Sequence, residues 1–98
     1  MQEIIVRSLE LGNLPPSISQ EEIRMVCGAY GDIEEVRIGI EPDEMGRRRA
    51  MVVFCDSAGS DACATVVNGM YRFDADARKP IEAKRFTSSE EYRFAKWA

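Results

Sequence analysis

Apolar positions along the chain fall into short segments whose period switches between two and about three and a half, and Gly, Pro, Asn or a capping residue marks each switch. Ile4 to Leu11 alternates loosely and stops at Gly12-Asn13-Leu14-Pro15-Pro16, which predicts a first strand. Ser19-Gln20-Glu21-Glu22 then forms a capping box, in which the Ser19 hydroxyl accepts from the Glu22 N–H and the Glu22 carboxylate accepts from the Ser19 N–H. Ile18 and Ile23 flank it at the spacing of a hydrophobic staple. Ile23, Val26, Cys27 and Tyr30 continue the apolar stripe of a first helix that ends near Tyr30-Gly31.

From Ile33 to Ile40 the period returns to two, with Val36, Ile38 and Ile40 on one face and Glu35, Arg37 and Gly39 on the other. Glu41 to Gly46 has turn composition, and Arg49 to Phe54 is apolar and β-branched, so a hairpin is expected. Asp56-Ser57 introduces a second helix over Ala58 to Val67, whose small-residue stripe is Ala62 and Val66 with Cys63 and Val67, closed by Asn68-Gly69. Pro80 to Phe86 reads as a last strand, with Ile81 and Ala83 on one face and Glu82 and Lys84 on the other. Thr87 or Ser88 followed by Glu90 or Glu91 is a second cap signal. It precedes Tyr92, Phe94 and Trp97 and predicts a short third helix.

Ninety-eight residues, 45% of them hydrophobic, make one domain with one core, and no boundary inside it is visible. No apolar run approaches the roughly 18 residues of a membrane span, and Ile4 to Val6 is too brief for a secretory core segment. Cys27, Cys55 and Cys63 are odd in number and lack Cys-x-x-Cys spacing, so reduced thiols are expected rather than disulfides or a zinc site. The absence of histidine removes the usual general base, the Ser-His and Cys-His pairs and the commonest metal ligand. Asp43 and Glu44 sit in a turn, and Glu34-Glu35 lacks calcium-loop spacing. Neither enzyme chemistry nor a metal or other cofactor is expected.

Charge narrows the binding options. A net charge of −4 gives no broad basic footprint, so any contact with nucleic acid must use local patches. Acid collects at Glu21, Glu22, Asp32, Glu34, Glu35, Glu41, Asp43 and Glu44. Base collects at Arg47-Arg48-Arg49 and at Arg78, Lys79, Lys84 and Arg85. The plain reading of the arginine run is a solvated hairpin end that keeps a sheet edge soluble.

Two short motifs then carry a resemblance. Leu9-Glu10-Leu11-Gly12-Asn13-Leu14 resembles the aliphatic-aromatic-aliphatic-x-Asn-Leu hexamer of the RNA recognition motif (RRM) family, and Arg47 to Phe54 resembles its octamer, Lys/Arg-Gly-Phe/Tyr-Gly/Ala-Phe-Val-x-Phe/Tyr. Tyr30-Gly31-Asp32-Ile33, Val67-Asn68-Gly69 and Ile81-Glu82-Ala83 are further marks, and the resemblance covers about residues 7–86. It implies an α+β fold: a βαββαβ ferredoxin-like sandwich, with a four-stranded antiparallel sheet and two helices on one face, plus the short C-terminal helix over about 87–98. The three sheet positions that carry rings in typical members map onto Glu10, Arg49 and Met51. Stacking is worth about 1–3 kcal/mol per base, so three missing rings forgo roughly 3–9 kcal/mol, comparable with an entire micromolar affinity of about 8 kcal/mol. Glu10 also repels phosphate.

The resemblance implies a non-enzymatic module of RNA processing, working inside the reducing compartment of the cell and in the nucleus. Single-stranded RNA is the expected partner, bound weakly through Asn13, Arg37, Arg47, Arg49, Met51 and Lys84, where arginine can stack on a base in place of a ring. The alternative is a protein partner within a ribonucleoprotein or splicing assembly. The chain also resembles the UHM, an auxiliary-factor homology motif of splicing factors, in its missing sheet rings, acidic first helix and C-terminal helix. That reading points to Glu21, Glu22, Arg72, Phe73 and Trp97, although in Tyr71-Arg72-Phe73 the Arg adjoins the Phe and Asp74 to Lys79 lengthens the loop. The aromatic tail can cover apolar surface at the domain edge, lie across the sheet, or anchor a partner.

Overall fold

The computed structural model describes residues 7–74 and 78–85. Six elements follow in the order β1 (Ser8–Leu14), α1 (Gln20–Cys27), β2 (Ile33–Ile38), β3 (Arg48–Phe54), α2 (Ser57–Val67) and β4 (Glu82–Arg85). The strands pair antiparallel in the order β2-β3-β1-β4, the ferredoxin-like βαββαβ arrangement expected from the alternating elements. Leu9, Leu11, Leu14, Val36, Ala50, Val52, Phe54, Ile81 and Ala83 point from one sheet face into a single core, where they meet Ile23 and Cys27 of α1 and Cys63 and Val67 of α2. The other face of the sheet carries neither of these helices.

Local chemistry explains the joints. The Ser19 hydroxyl accepts from Glu22 N at 3.2 Å and Glu22 Oε1 accepts from Ser19 N at 3.2 Å, so two orphan donors of α1 are satisfied at once. Ile18 and Ile23 are both buried beside the cap, as the staple spacing requires. Asp56 caps α2 by accepting from Gly59 N at 2.8 Å. The β2–β3 turn is closed by Asp43 Oδ1, which accepts from Met45 N and Arg47 N, while Gly46 takes a φ of +77° that a side chain rarely adopts.

Several boundaries differ from the sequence reading. β1 runs on to Leu14, because Asn13 takes a left-handed φ of +60° and the register with β3 shifts between Leu11 and Leu14. That bulge returns Leu14 to the core face, three residues after Leu11, where strict alternation would have sent it outward. α1 stops at Cys27, short of Tyr30. β2 stops at Ile38, and Ile40 is exposed rather than aligned with Val36, since Gly39 and Ile40 already turn toward the loop and their carbonyls accept from the Arg48 side chain. The buried stripe of α2 is Gly59, Ser60, Cys63 and Val67, leaving Ala62 and Val66 outward. α2 sits so close to the sheet that only small residues fit: a Cβ on Gly59 would lie 2.8 Å from the Phe54 ring. The expected C-terminal helix, including Trp97, lies outside the described residues.

Cys27 and Cys63 face each other between the helices. The hydrogen bond from Cys63, reinforced by burial, pushes the Cys27 thiol up, so it stays protonated. All three cysteines are free thiols. No helix among the described residues is long and apolar enough to cross a membrane.

Candidate nucleic-acid interface

The pleat sends every second residue of each strand to the helix-free face. Pairing then lines up one row across all four strands: Arg37 of β2 opposite Met51 of β3, Met51 opposite Glu10 of β1, and Glu10 opposite Lys84 of β4. A second row holds Glu35, Val53 and Ser8. Toward the other end of the sheet, Arg49 and the Gly12–Glu82 pair complete the surface. Four residues named from the sequence, Arg37, Arg49, Met51 and Lys84, are thus brought onto one face.

That face is electrically balanced. Arg37, Arg49 and Lys84 are matched in number by Glu10, Glu35 and Glu82, and Arg37 Nε donates to Glu35 Oε1 at 2.6 Å. Both partners of this ion pair are near 40% exposed, so screening by water makes it weak and separable. Glu35 was not named as a site residue from the sequence, although period-two alternation already places it on the face of Arg37, two residues away. Met51 occupies the centre of the row and is only 3% exposed.

Arg47 and Asn13 are committed differently. Arg47 donates through Nε to Asn13 Oδ1 (3.0 Å), through Nη2 to the Asn13 carbonyl (2.7 Å), and through both terminal nitrogens to the Asp74 carboxylate (2.9 and 3.1 Å). The Asn13 amide in turn donates to the carbonyls of Lys79 and Pro80. This clamp ties the β1 bulge and the start of β3 to the segment leading into β4. The hydrogen bond from Arg47 holds the Asp74 carboxyl below its ordinary range, and the same bond keeps the Arg47 guanidinium charged. Arg48 is likewise spent on the carbonyls of Gly39 and Ile40, at 3.1 and 2.6 Å. The clamp has no sequence signal, because Asp74 lies in a segment without period and 27 residues from Arg47.

On the helical side, Glu21 and Glu22 are exposed in the first turn of α1, but the Glu22 carboxylate is occupied by its cap. Phe73 packs against the core and meets Tyr71 edge-on, with ring centroids 4.9 Å apart. Arg72 is exposed beside it. Among the described residues no group of His, Cys, Asp or Glu side chains is arranged to hold a metal ion.

The family model described as the RNA recognition motif matches residues 9–77. No curated protein sequence matches the chain. Among solved structures the chain is similar to the RRM of RNA15, at 22% identity and a TM-score of 0.69, covering 88% of this chain and 95% of that one. It is similar to the first two RRM domains of the yeast poly(U) binding protein Pub1, at 18% identity and a TM-score of 0.72, covering 84% of this chain and 47% of that one. It also resembles a Sxl-lethal protein in complex with RNA, at 18% identity and a TM-score of 0.64, covering 86% of this chain and spanning about half (51%) of that one. A further RNA15 RRM structure, 22% identical with a TM-score of 0.68 and 86% of each chain covered, contains bound RNA (GU). At these identities the likeness establishes a shared fold.

Proposed function

The chain belongs to the RNA recognition motif family, a group of non-enzymatic RNA-binding modules, and from that premise we propose that it binds single-stranded RNA through the helix-free face of its sheet. The observation that carries the reading is the row Arg37–Met51–Glu10–Lys84, with Arg49 beside it, a surface that takes in Glu10, Met51 and Arg49, the three positions where typical family members present rings. Guanidinium planes stack on bases and pair with phosphate, so Arg37 and Arg49 supply what the missing rings do not. The balance of three cations and three anions on this face makes the binding weak and salt-sensitive. A domain of this kind gains useful affinity beside other modules in an RNA-processing assembly, by raised effective concentration. Asn13 and Arg47 support the surface by holding the β1 end and the segment before β4 in place.

The test is a chemical-shift titration of the labelled protein with a mixed single-stranded RNA pool at low and physiological salt. Shifts concentrated at Arg37, Arg49 and Lys84 are expected. The triple variant Arg37→Ala, Arg49→Ala, Lys84→Ala should reduce the salt slope by about 2, at about 0.7 for each phosphate that is no longer neutralised. A spectrum silent throughout overturns this reading in favour of a UHM-like protein-binding surface around α1 and Tyr71–Phe73, and shifts confined to that side overturn the assignment to the sheet.

A further inference from the structure

The Arg47 guanidinium works along two edges. Through Nε and Nη2 it donates to the side chain and the carbonyl of Asn13, and through Nη1 and Nη2 it grips the Asp74 carboxylate end-on, at 2.9 and 3.1 Å. The Asn13 edge is the structural one. Asn13 also donates to the carbonyls of Lys79 and Pro80, so the β1 bulge, the start of β3 and the segment before β4 remain tied together without Asp74. The Asp74 edge adds a two-bonded charge pair whose side chains are 16% and 31% exposed, whereas Arg7–Glu34 and Arg37–Glu35 rest on one bond each and are 38–53% exposed. Nη1 has no other acceptor among the described residues. Parallel N–H donors of a guanidinium fit a carboxylate and a phosphate alike.

We propose that Asp74 is an internal stand-in for a backbone phosphate: its carboxylate fills the Arg47 fork in the free protein, and a phosphate of single-stranded RNA on the helix-free face takes the fork by displacing it, a role that rests on the RNA reading of that face. Position supports the exchange. Arg47 precedes β3 by one residue and stands at alternate-residue spacing from Arg49 and Met51, so its backbone lies roughly 7 Å along the strand from Arg49. Preorganisation supports it as well. Asn13 keeps the guanidinium aimed while Asp74 leaves, so the incoming phosphate meets donors that are already ordered. Charge completes the case. Three cations on the face are matched by three anions, and displacing Asp74 into solvent brings a fourth cation, Arg47, to bear on the RNA. Asp74 thus acts as a latch that withholds Arg47 from weak or misplaced anions.

Asp74→Asn keeps the shape of the side chain and removes its charge. Binding of a short oligouridine to the full chain, followed by fluorescence anisotropy from low to physiological salt, should be several-fold tighter for this variant. Its slope of log affinity against log salt should steepen by about 0.7, the mark of one further phosphate neutralised. Arg47→Gln supplies the second arm: with the fork gone, adding Asp74→Asn should change neither affinity nor slope. In the unsubstituted protein the Asp74 carboxyl-carbon resonance should move as oligouridine is added, a readout that needs no variant to fold. Equal affinities and slopes for the unsubstituted protein and Asp74→Asn overturn the latch and leave the RNA reading intact, as does an Asp74 resonance that stays still at saturating RNA. A gain of the same size in the Arg47→Gln background is a long-range charge effect and also overturns the latch. Absence of binding by both the unsubstituted protein and Asp74→Asn overturns the latch and the RNA reading together.

Discussion

Arg47, Arg48 and Arg49 are chemically identical neighbours with three different tasks. Arg47 closes the Asn13–Asp74 clamp, Arg48 caps the carbonyls at the hairpin end, and Arg49 stands on the helix-free face. The clamp carries a pH signature. Bonding to Arg47 lowers the folded-state pKa of Asp74 below its ordinary 3.8, so its contribution to stability is complete above about pH 5 and is lost as pH falls through the folded value. Asp74→Asn should therefore lower the melting temperature at pH 7, and the gap to the unsubstituted protein should shrink below about pH 4. Thermal melts between about pH 2 and 7 check this. A gap independent of pH would mean that the carboxylate's charge contributes nothing.

At the scale of elements, the caps and strands were legible because their causes are local. Ser19 with Glu22 starts α1 within three residues, and alternation on β4 assigns Ile81 and Ala83 to the core without reference to the rest of the chain. The face of α2 was not legible. Its 11 residues are nearly all small, so periodicity could not distinguish Ala62 and Val66 from Cys63 and Val67. Contact decided it: Gly59 of α2 approaches the Phe54 ring of β3, and Gly31 in the turn before β2, too closely for a side chain. Gly59→Ala should drive a methyl against the Phe54 ring and cost about 1–3 kcal/mol. Gly12→Ala, whose Cβ meets nothing nearer than 3.5 Å, should change stability by less than about 0.5 kcal/mol. Urea denaturation of the two variants makes the comparison.

For the whole molecule, one core holds both layers, and Phe54 is its largest fully buried side chain. Phe54→Ala should cost about 3–5 kcal/mol, a large share of the roughly 5–15 kcal/mol available to a small domain. It should lower the urea midpoint with little change in slope, and a variant as stable as the parent would show that the core does not depend on this ring. The order of elements, the capping box, the turn at Asp43–Gly46 and the two motifs were available from the sequence itself, since each rests on interactions between residues a few positions apart. Family membership came from the same source. Only the tertiary structure decided that Asn13 bulges β1, that Asp74 takes up Arg47, and that Ser8, Met51 and Val53 are buried on a face without α1 or α2. Those outcomes depend on strand register and on contacts between distant segments, and no local pattern encodes which distant partner a side chain will meet.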